Sequence, residues 1–174
     1  MELLDIVDEN DKVIGKASRK EIHNSQQWHR GVHVILLNSR DEILIQHRSM
    51  KKDKYPGKFD LSLSGHVNSG DGYLKTVKRE LLEELGIKLE VKRLAKFRMV
   101  YERTDFMITV LFEARYDGEI KPEDSEVSEA KFHSRSDIER ILKENPGKFP
   151  LYAREILKWY LKKPSKLIVL EERI

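Results

Sequence analysis

Alternating apolar and polar positions dominate the first third of the chain. Leu3 to Val7 and Val13 to Ser18 flank the turn residues Glu9-Asn10-Asp11, and His33 to Leu37 and Ile43 to Gln46 flank Asn38-Ser39-Arg40-Asp41. Each pair reads as a β-hairpin, a short β-prone run on either side of an Asn/Asp turn. A Gly/Pro/Lys loop covers Lys51 to Lys58, and Leu61 and Leu63 then lead into Gly65. Beyond Gly72 the period becomes helical: Leu74, Val77, Leu81 and Leu85 recur in steps of three and four and make one apolar stripe, with Gly86 as C-cap. Long strands are expected over Leu89 to Val100 and Phe106 to Ala114 and another over Val127 to Phe132, followed by helices around Asp137 to Lys143 and Leu151 to Leu161. Lys166 to Leu170 reads as a last strand or a surface tail, with a frayed Glu171-Glu172-Arg173 end. No internal repeat is visible. The mixed order predicts an α/β fold with a central mixed β-sheet between helices.

The predicted helix carries the most informative chemistry. Glu80, Glu83 and Glu84 share one stripe of it, and like charges three and four positions apart destabilise a helix by a few tenths of a kcal/mol (about 0.2–0.5) per pair. A bound cation would offset this. The adjacent apolar stripe anchors the acids at the edge of a packed element, and rigid placement suits a metal site. Clustered carboxylates in a chain without cysteine favour Mg2+, or Mn2+, over zinc. A solvated acidic face is the ordinary alternative for such a run.

Composition narrows the classes. The 174 residues suit a single domain spanning 1–174. Charged residues make up 36% of the chain, yet the net charge is only +3, which speaks against a nucleic-acid footprint while leaving room for phosphorylated small molecules. The lack of cysteine excludes disulfides, thiolate metal sites and cysteine nucleophiles. Without a signal peptide or long apolar run, a soluble cytoplasmic protein with no membrane partner is expected. Monomer and homodimer both stay open, with pairing through the N-terminal hairpin strands as one route to a dimer.

The segment GHVNSGDGYLKTVKRELLEELGI, residues 65–87, resembles the Nudix box. It reads Gly65, five residues, Asp71, seven residues, then Arg79-Glu80-Leu81-Leu82-Glu83-Glu84-Leu85-Gly86-Ile87. Asp71 is the one departure, a carboxylate one methylene shorter than the family's usual Glu. The resemblance implies a Nudix-type α/β/α sandwich over about Trp28 to Trp159, preceded by a β-hairpin extension in residues 1–27. It also implies Glu80 and Glu84 as primary metal ligands, Glu83 sharing a metal or acting through water, and the Gly65 carbonyl completing the shell. Arg79 is expected to orient Glu83, its planar fork fixing geometry as well as charge. Many Nudix enzymes take a further glutamate from a loop before the last sheet strand. Candidates here are Glu123, Asp124, Glu126 and Glu129, with Glu126 preferred as base because KPEDSEVSEAKF resembles a D-E-V-x-E pattern.

The N-terminal extension, WHRGVHVIL and QHRSMKKDKYPGKFDLSLSGHV are similar to the isopentenyl-diphosphate isomerase branch of that superfamily. Those isomerases hold a metal partly with histidines, and His23, His29 and His66 fall near the matching places; spacing alone does not assign them. Ser64 and Met107 stand where the isomerases use a cysteine and a glutamate to move protons. A serine hydroxyl and a thioether do not make a matched acid and base, so isomerisation is disfavoured. True isomerases also degrade the Arg-Glu and Glu-Glu parts of the box, which this chain keeps. By the same resemblance Arg48 and Lys52 are expected on a diphosphate, with Lys54 and Lys58 on the same loop and Lys58 grouped with the substrate contacts. Tyr55 stacks on a base or caps the core; Trp28 and Trp159 are packing residues.

Together these readings predict a Mg2+-dependent hydrolase of a phosphate anhydride in a nucleoside di- or triphosphate, or in a nucleoside diphosphate linked to another group. Isopentenyl-diphosphate isomerase is the alternative. A non-catalytic nucleotide sensor on the same fold is a third reading, opposed by the retention of all three carboxylates.

Overall fold

The computed structural model describes residues 2–101 and 105–173. The N-terminal hairpin forms as expected: β1 (Leu3–Val7) pairs antiparallel with β2 (Val13–Ser18) in a sheet of their own. It is followed by a helix that the hydrophobic pattern did not disclose, α1 (Arg19–Ser25). Its signal was in the sequence all the same. Ser18 accepts from the Glu21 backbone N–H while the Glu21 side chain accepts from the Ser18 N–H, a capping box spelled S-x-x-E.

The hairpin is fastened to the rest of the fold at its turn. Asp11 sits in the left-handed region at φ 66°, and its buried carboxylate accepts from Arg30 Nε at 2.6 Å, from Tyr73 OH at 3.0 Å and from Lys96 Nζ. At the other end, Asp5 accepts from Ser69 Oγ at 2.6 Å and from the Gly70 N–H at 3.1 Å, which ties β1 to the glycine-rich turn after Gly65.

Among the described residues, eight strands make one mixed sheet. They are β3 (Trp28–Leu37), β4 (Ile43–Arg48), β5 (Phe59–Asp60), β6 (Leu63–His66), β7 (Lys92–Tyr101), β8 (Asp105–Arg115), β9 (Val127–His133) and β10 (Ile168–Glu172). The order is β10-β7-β8-β3-β4-β5, with β6 also on β3 and β9 also on β4. Only β3 and β8 run parallel, from Trp28↔Phe106 to Leu37↔Arg115. The hairpin expected between β3 and β4 is confined to its base: the two pair at Leu37↔Ile43 and then part, β3 taking β6 and β8, and β4 taking β9 and β5. That parting opens the sheet where the cavity lies. At the far edge Glu171 and Glu172, expected to fray, pair with β7.

Period-two alternation distributes β3 over two cores. Val32, Val34 and Leu36 pack with Val77, Leu81 and Leu85 of α2 (Tyr73–Leu85), whereas Ile35 and Leu37 pack with Ile138 and Leu142 of α3 (Arg135–Glu144) and with Ala153, Ile156 and Leu157 of α4 (Leu151–Tyr160). Helices therefore cover both faces, the α/β/α layering expected. One member of the α2 stripe departs from expectation. Leu74 is 51% exposed although, at about 100° per residue, it shares the angular sector of Val77, Leu81 and Leu85. In this first turn Tyr73 and Thr76 make the contacts with the core instead. Trp159 packs edge-on against Phe97 at 4.8 Å and Trp28 against Phe106 at 5.2 Å, both as packing residues.

Candidate active site

A cavity of about 330 Å³ opens between α2, the loop before β5 and the N-terminal helix. Glu80, Glu83, Glu84 and Gly65 all line it, together with Ser64, His66, Met107, Arg48, Lys52, Lys54, Tyr55, Glu123 and Glu126. The structure thus gathers around one cavity most of the residues singled out in the sequence. Lys58 lies outside: its Nζ donates to the Gly147 carbonyl at 2.9 Å on the surface. Asp71 also stands apart and pairs with Lys75 at 2.6 Å.

The carboxylates of α2 are held in different environments. Glu84 is the most deeply enclosed, and burial pushes it up to about 8, with Gln46 pulling the other way and Glu80, Glu126 and Asp60 adding to the rise. Gln46 Nε2 donates to Glu84 Oε2 at 3.0 Å and to the Ser62 carbonyl at 2.8 Å. Glu80 is likewise raised, first by burial and then by Glu83, against the pull of Arg79. Arg79 bridges both of its neighbours, reaching Glu80 Oε1 and Glu83 Oε2 at 2.8 Å each, so it contacts Glu80 as well as the expected Glu83. Burial lowers the Arg79 pKa, but Glu80 and Glu83 outweigh this and raise it. A Cβ on Gly65 would stand 3.0 Å from Glu80 Cδ, so a side chain at this position of β6 would crowd Glu80 and shift it by a few tenths of an ångström. Two half-buried carboxylates whose ionisation is disfavoured, with further oxygen donors beside them, are a fit host for a hard divalent cation.

The remaining acids sort by position. Glu123 and Glu126 line the cavity; Asp124 and Glu129 do not. The loop is fixed at both ends, the Glu123 N–H donating to the Glu84 carbonyl at 2.9 Å and the Ser49 N–H to the Glu126 carbonyl at 3.0 Å. Glu126 pairs with Lys52, joining the expected base to an expected phosphate contact.

Arg48 is largely committed to structure. It donates to Asp60 Oδ2 at 2.7 Å and twice to the Lys54 carbonyl, at 3.0 and 3.2 Å, bracing the Lys-rich loop. Asp60, fully buried, also accepts from Tyr152 OH at 2.6 Å, the Leu61 N–H at 2.7 Å and Ser64 Oγ at 3.0 Å. Because the Ser64 proton goes to Asp60, Ser64 Oγ accepts from His33 Nδ1 at 3.0 Å. The Ser64 hydroxyl is therefore occupied on both sides. Gln46, Asp60 and Tyr152 were not found from sequence; the signal available was a polar residue breaking an apolar alternation, as Gln46 does after Ile43-Leu44-Ile45.

A second cluster borders the same cavity. Ligand atoms of His23, His29 and His66 lie within 4.8 Å of one another. His29 Nδ1 lies 3.1 Å from the Gln27 carbonyl and His23 Nδ1 pairs with Asp105, whereas Nε2 of both rings is buried without a partner. Burial lowers His29 to about 4 and lowers His66 well below the usual imidazole range, helped there by the neighbouring histidines. Three clustered imidazoles, with orphaned Nε2 atoms on His23 and His29 and an oxygen partner at Nδ1 of each of those two rings, fit a metal ion.

No helix among the described residues is long and apolar enough to cross a membrane. The chain is 35% identical over 131 residues to an uncharacterized Nudix hydrolase of Pseudomonas aeruginosa, covering 75% of this chain and 78% of the relative. It is 30% identical to a prenyl-diphosphate phosphatase of Methanosarcina mazei (86% and 89% covered) and 29% identical to an isopentenyl-diphosphate Delta-isomerase of Serratia proteamaculans (90% of each). A crystal structure from Deinococcus radiodurans superposes with a TM-score of 0.72 at 28% identity, covering 82% of this chain and 90% of that one. With the family model for the NUDIX domain matching residues 27–159 and the box carboxylates gathered on one cavity, the chain belongs to the Nudix family and is a Nudix hydrolase.

Proposed function

We propose that the protein is a Mg2+-dependent hydrolase of a phosphate anhydride in a small diphosphate, with a nucleoside di- or triphosphate or a nucleoside diphosphate linked to another group as substrate. The observation that carries this reading is the enclosure of Glu84 beside Gln46 and of Glu80 against Gly65, carboxylates that burial makes reluctant to ionise without a cation. Glu80, Glu84, Glu83 and the Gly65 carbonyl would hold the ion. When bound, Mg2+ neutralises anhydride oxygens and acidifies water. The chain's own groups do the rest. Gln46 and Arg79 fix the carboxylates, and Lys52, with the cavity-lining Arg48 beside it, offers positive charge to phosphate oxygens. Glu126 accepts the proton of the attacking water as the new P–O bond forms; the bridging P–O bond breaks and the leaving group departs with its oxygen.

A prenyl diphosphate is the second reading. The Methanosarcina mazei relative bears that name, and Tyr55, Tyr101, Met107 and Tyr152 line the cavity beside the carboxylates. Isomerisation finds less support, since Ser64 is hydrogen-bonded to Asp60 and His33, and Met107 has no ionisable group. The test is incubation with Mg2+ and a panel of nucleoside di- and triphosphates, nucleotide sugars, and isopentenyl and longer prenyl diphosphates, following phosphate release and alkene isomerisation separately. Metal-dependent phosphate release without isomerisation is expected, and its preferred carrier decides between nucleotide and prenyl. Isomerisation of isopentenyl diphosphate without hydrolysis would overturn the reading.

A further inference from the structure

Lys54 reaches into the imidazole cluster from the loop that Arg48 braces. Its Nζ lies 2.9 Å from Asp105 Oδ2 and 3.1 Å from His23 Nδ1. Asp105 is 7% exposed, so one enclosed carboxylate answers both an ammonium and an imidazole. The Lys54 side chain itself is 35% exposed, and its backbone carbonyl is held by Arg48. The side chain can therefore leave while the loop stays in place.

We propose that Lys54 is a tethered cation that competes with a divalent metal ion for the His23, His29 and His66 pocket, and that loading the pocket displaces Lys54 from His23 and Asp105. Two physical arguments lead here. The first concerns the proton on His23. Ligation through Nε2 requires the ring proton on Nδ1, where Asp105 can accept it and orient the ring. An ammonium has donors only, so Lys54 is satisfied at Nδ1 only when that nitrogen carries the lone pair and the proton sits on Nε2. One ring does not serve both partners. His29 has no such conflict, because its Nδ1 faces the Gln27 carbonyl. The second argument is charge. An ammonium against one of the three rings repels a divalent ion within the pocket, and in an enclosed site that repulsion is weakly screened.

The inference rests on the imidazole pocket and not on the hydrolytic reading, and the test keeps them apart. Co2+ titrations of the full chain, read by equilibrium dialysis and by visible absorption, report on imidazole ligation without turnover. Lys54→Met is expected to bind the imidazole-ligated Co2+ about tenfold more tightly than the wild type. His29→Ala should abolish that spectrum in both backgrounds, which assigns it to the pocket. In Asp105→Asn the effect of Lys54→Met should shrink toward none, since Lys54 has lost its anchor, with thermal melts checking that each variant is folded. Equal or weaker Co2+ binding by folded Lys54→Met, or no imidazole-type spectrum in either protein, would overturn the proposal, whatever the Mg2+ hydrolysis assay shows.

Discussion

Gln46 Nε2 donates one proton to Glu84 Oε2 at 3.0 Å and the other to the Ser62 carbonyl at 2.8 Å, so an amide from β4 holds the most buried acid of α2 in one orientation. Both amide protons are used, and a carboxylate oxygen of Glu84 is left for a cation. Glu84→Gln can keep the hydrogen bond by presenting its own amide oxygen to Gln46, while losing the charge. It is expected to fold normally and to lose on the order of a thousandfold in kcat, the scale of removing one group that stabilises developing charge. Steady-state kinetics with saturating Mg2+ checks this. Wild-type turnover in a folded Glu84→Gln protein would remove Glu84 from the metal site.

Arg79 bridges Glu80 and Glu83 at 2.8 Å each, with two different nitrogens. A lysine has one point charge and no fork, so Arg79→Lys should retain the fold but weaken Mg2+ activation by about 10–100-fold. Mg2+ titration of the activity reads this directly. An unchanged half-saturating concentration would reduce Arg79 to an ordinary surface ion pair, worth at most about 1 kcal/mol.

Lys52 and Glu126 are paired although 74 positions separate them. If Glu126 is the base, Glu126→Gln should lower kcat by roughly 10²–10⁴ with little change in KM. Lys52→Met should instead raise KM, because its role is to meet phosphate charge. Should the two variants show the same kinetic signature, the pair is a structural latch and the base lies elsewhere, with Glu123 the other cavity-lining acid of that loop.

Those separations mark what the sequence could and could not disclose. Glu80, Glu83 and Glu84 were legible because a helix turns local spacing into a shared face, and the box around them is contiguous. Lys52 with Glu126, or Gln46 with Glu84, meet only through strand pairing, which local patterning leaves undetermined. The same limit explains Lys58. Its loop is cationic by composition, but which side chains turn inward depends on Arg48 and Asp60, and Lys58 ends on Gly147. The longer strands follow local apolar patterning, whereas the start of β3 at Trp28 rather than His33, the short β5 and β6, and the parting of β3 from β4 after Leu37↔Ile43 are set by pairing that local patterning does not show.

Local patterning shows Asp11 only as a turn residue, and the structure makes it a brace. Removing the acceptor of a partly buried, charge-assisted cluster costs about 1–3 kcal/mol. Asp11→Ala should lose an amount in that range, since Arg30 and Lys96 lose their shared acceptor but keep the longer pairs to Asp5 at 3.8 Å and Glu171 at 3.7 Å. Asp11→Gly separates the contributions: it relieves the left-handed backbone at φ 66° but still lacks the carboxylate, and should recover only about 1 kcal/mol. Denaturant unfolding measures both. Near-complete recovery in Asp11→Gly would show that backbone strain, not the ion cluster, governs the hairpin.

The raised carboxylate of Glu84 makes the metal-free protein sensitive to alkaline conditions, and the sign can be worked out. Its pKa is about 8 in the folded protein against the ordinary 4.5, so between these values the folded state holds a proton that the unfolded chain does not. The stabilisation is present below about 4.5 and is lost as pH rises through about 8. His29, His33, His66 and His133, all lowered by burial, act oppositely, and their contribution is complete only about one pH unit above the ordinary 6.5. The window from about pH 7.5 to 8.5 therefore isolates Glu84. One proton changes stability by at most about 1.4 kcal/mol per pH unit, or a few degrees in Tm for a chain of this size. Melts in the presence of chelator should fall by that amount across the window in the wild type and remain nearly flat in Glu84→Gln. Mg2+ should flatten the wild-type profile too, because the bound ion stabilises the ionised form that burial disfavours. Parallel profiles for wild type and Glu84→Gln would mean that Glu84 is ionised without a metal, and the main argument for a cation at this position would fail.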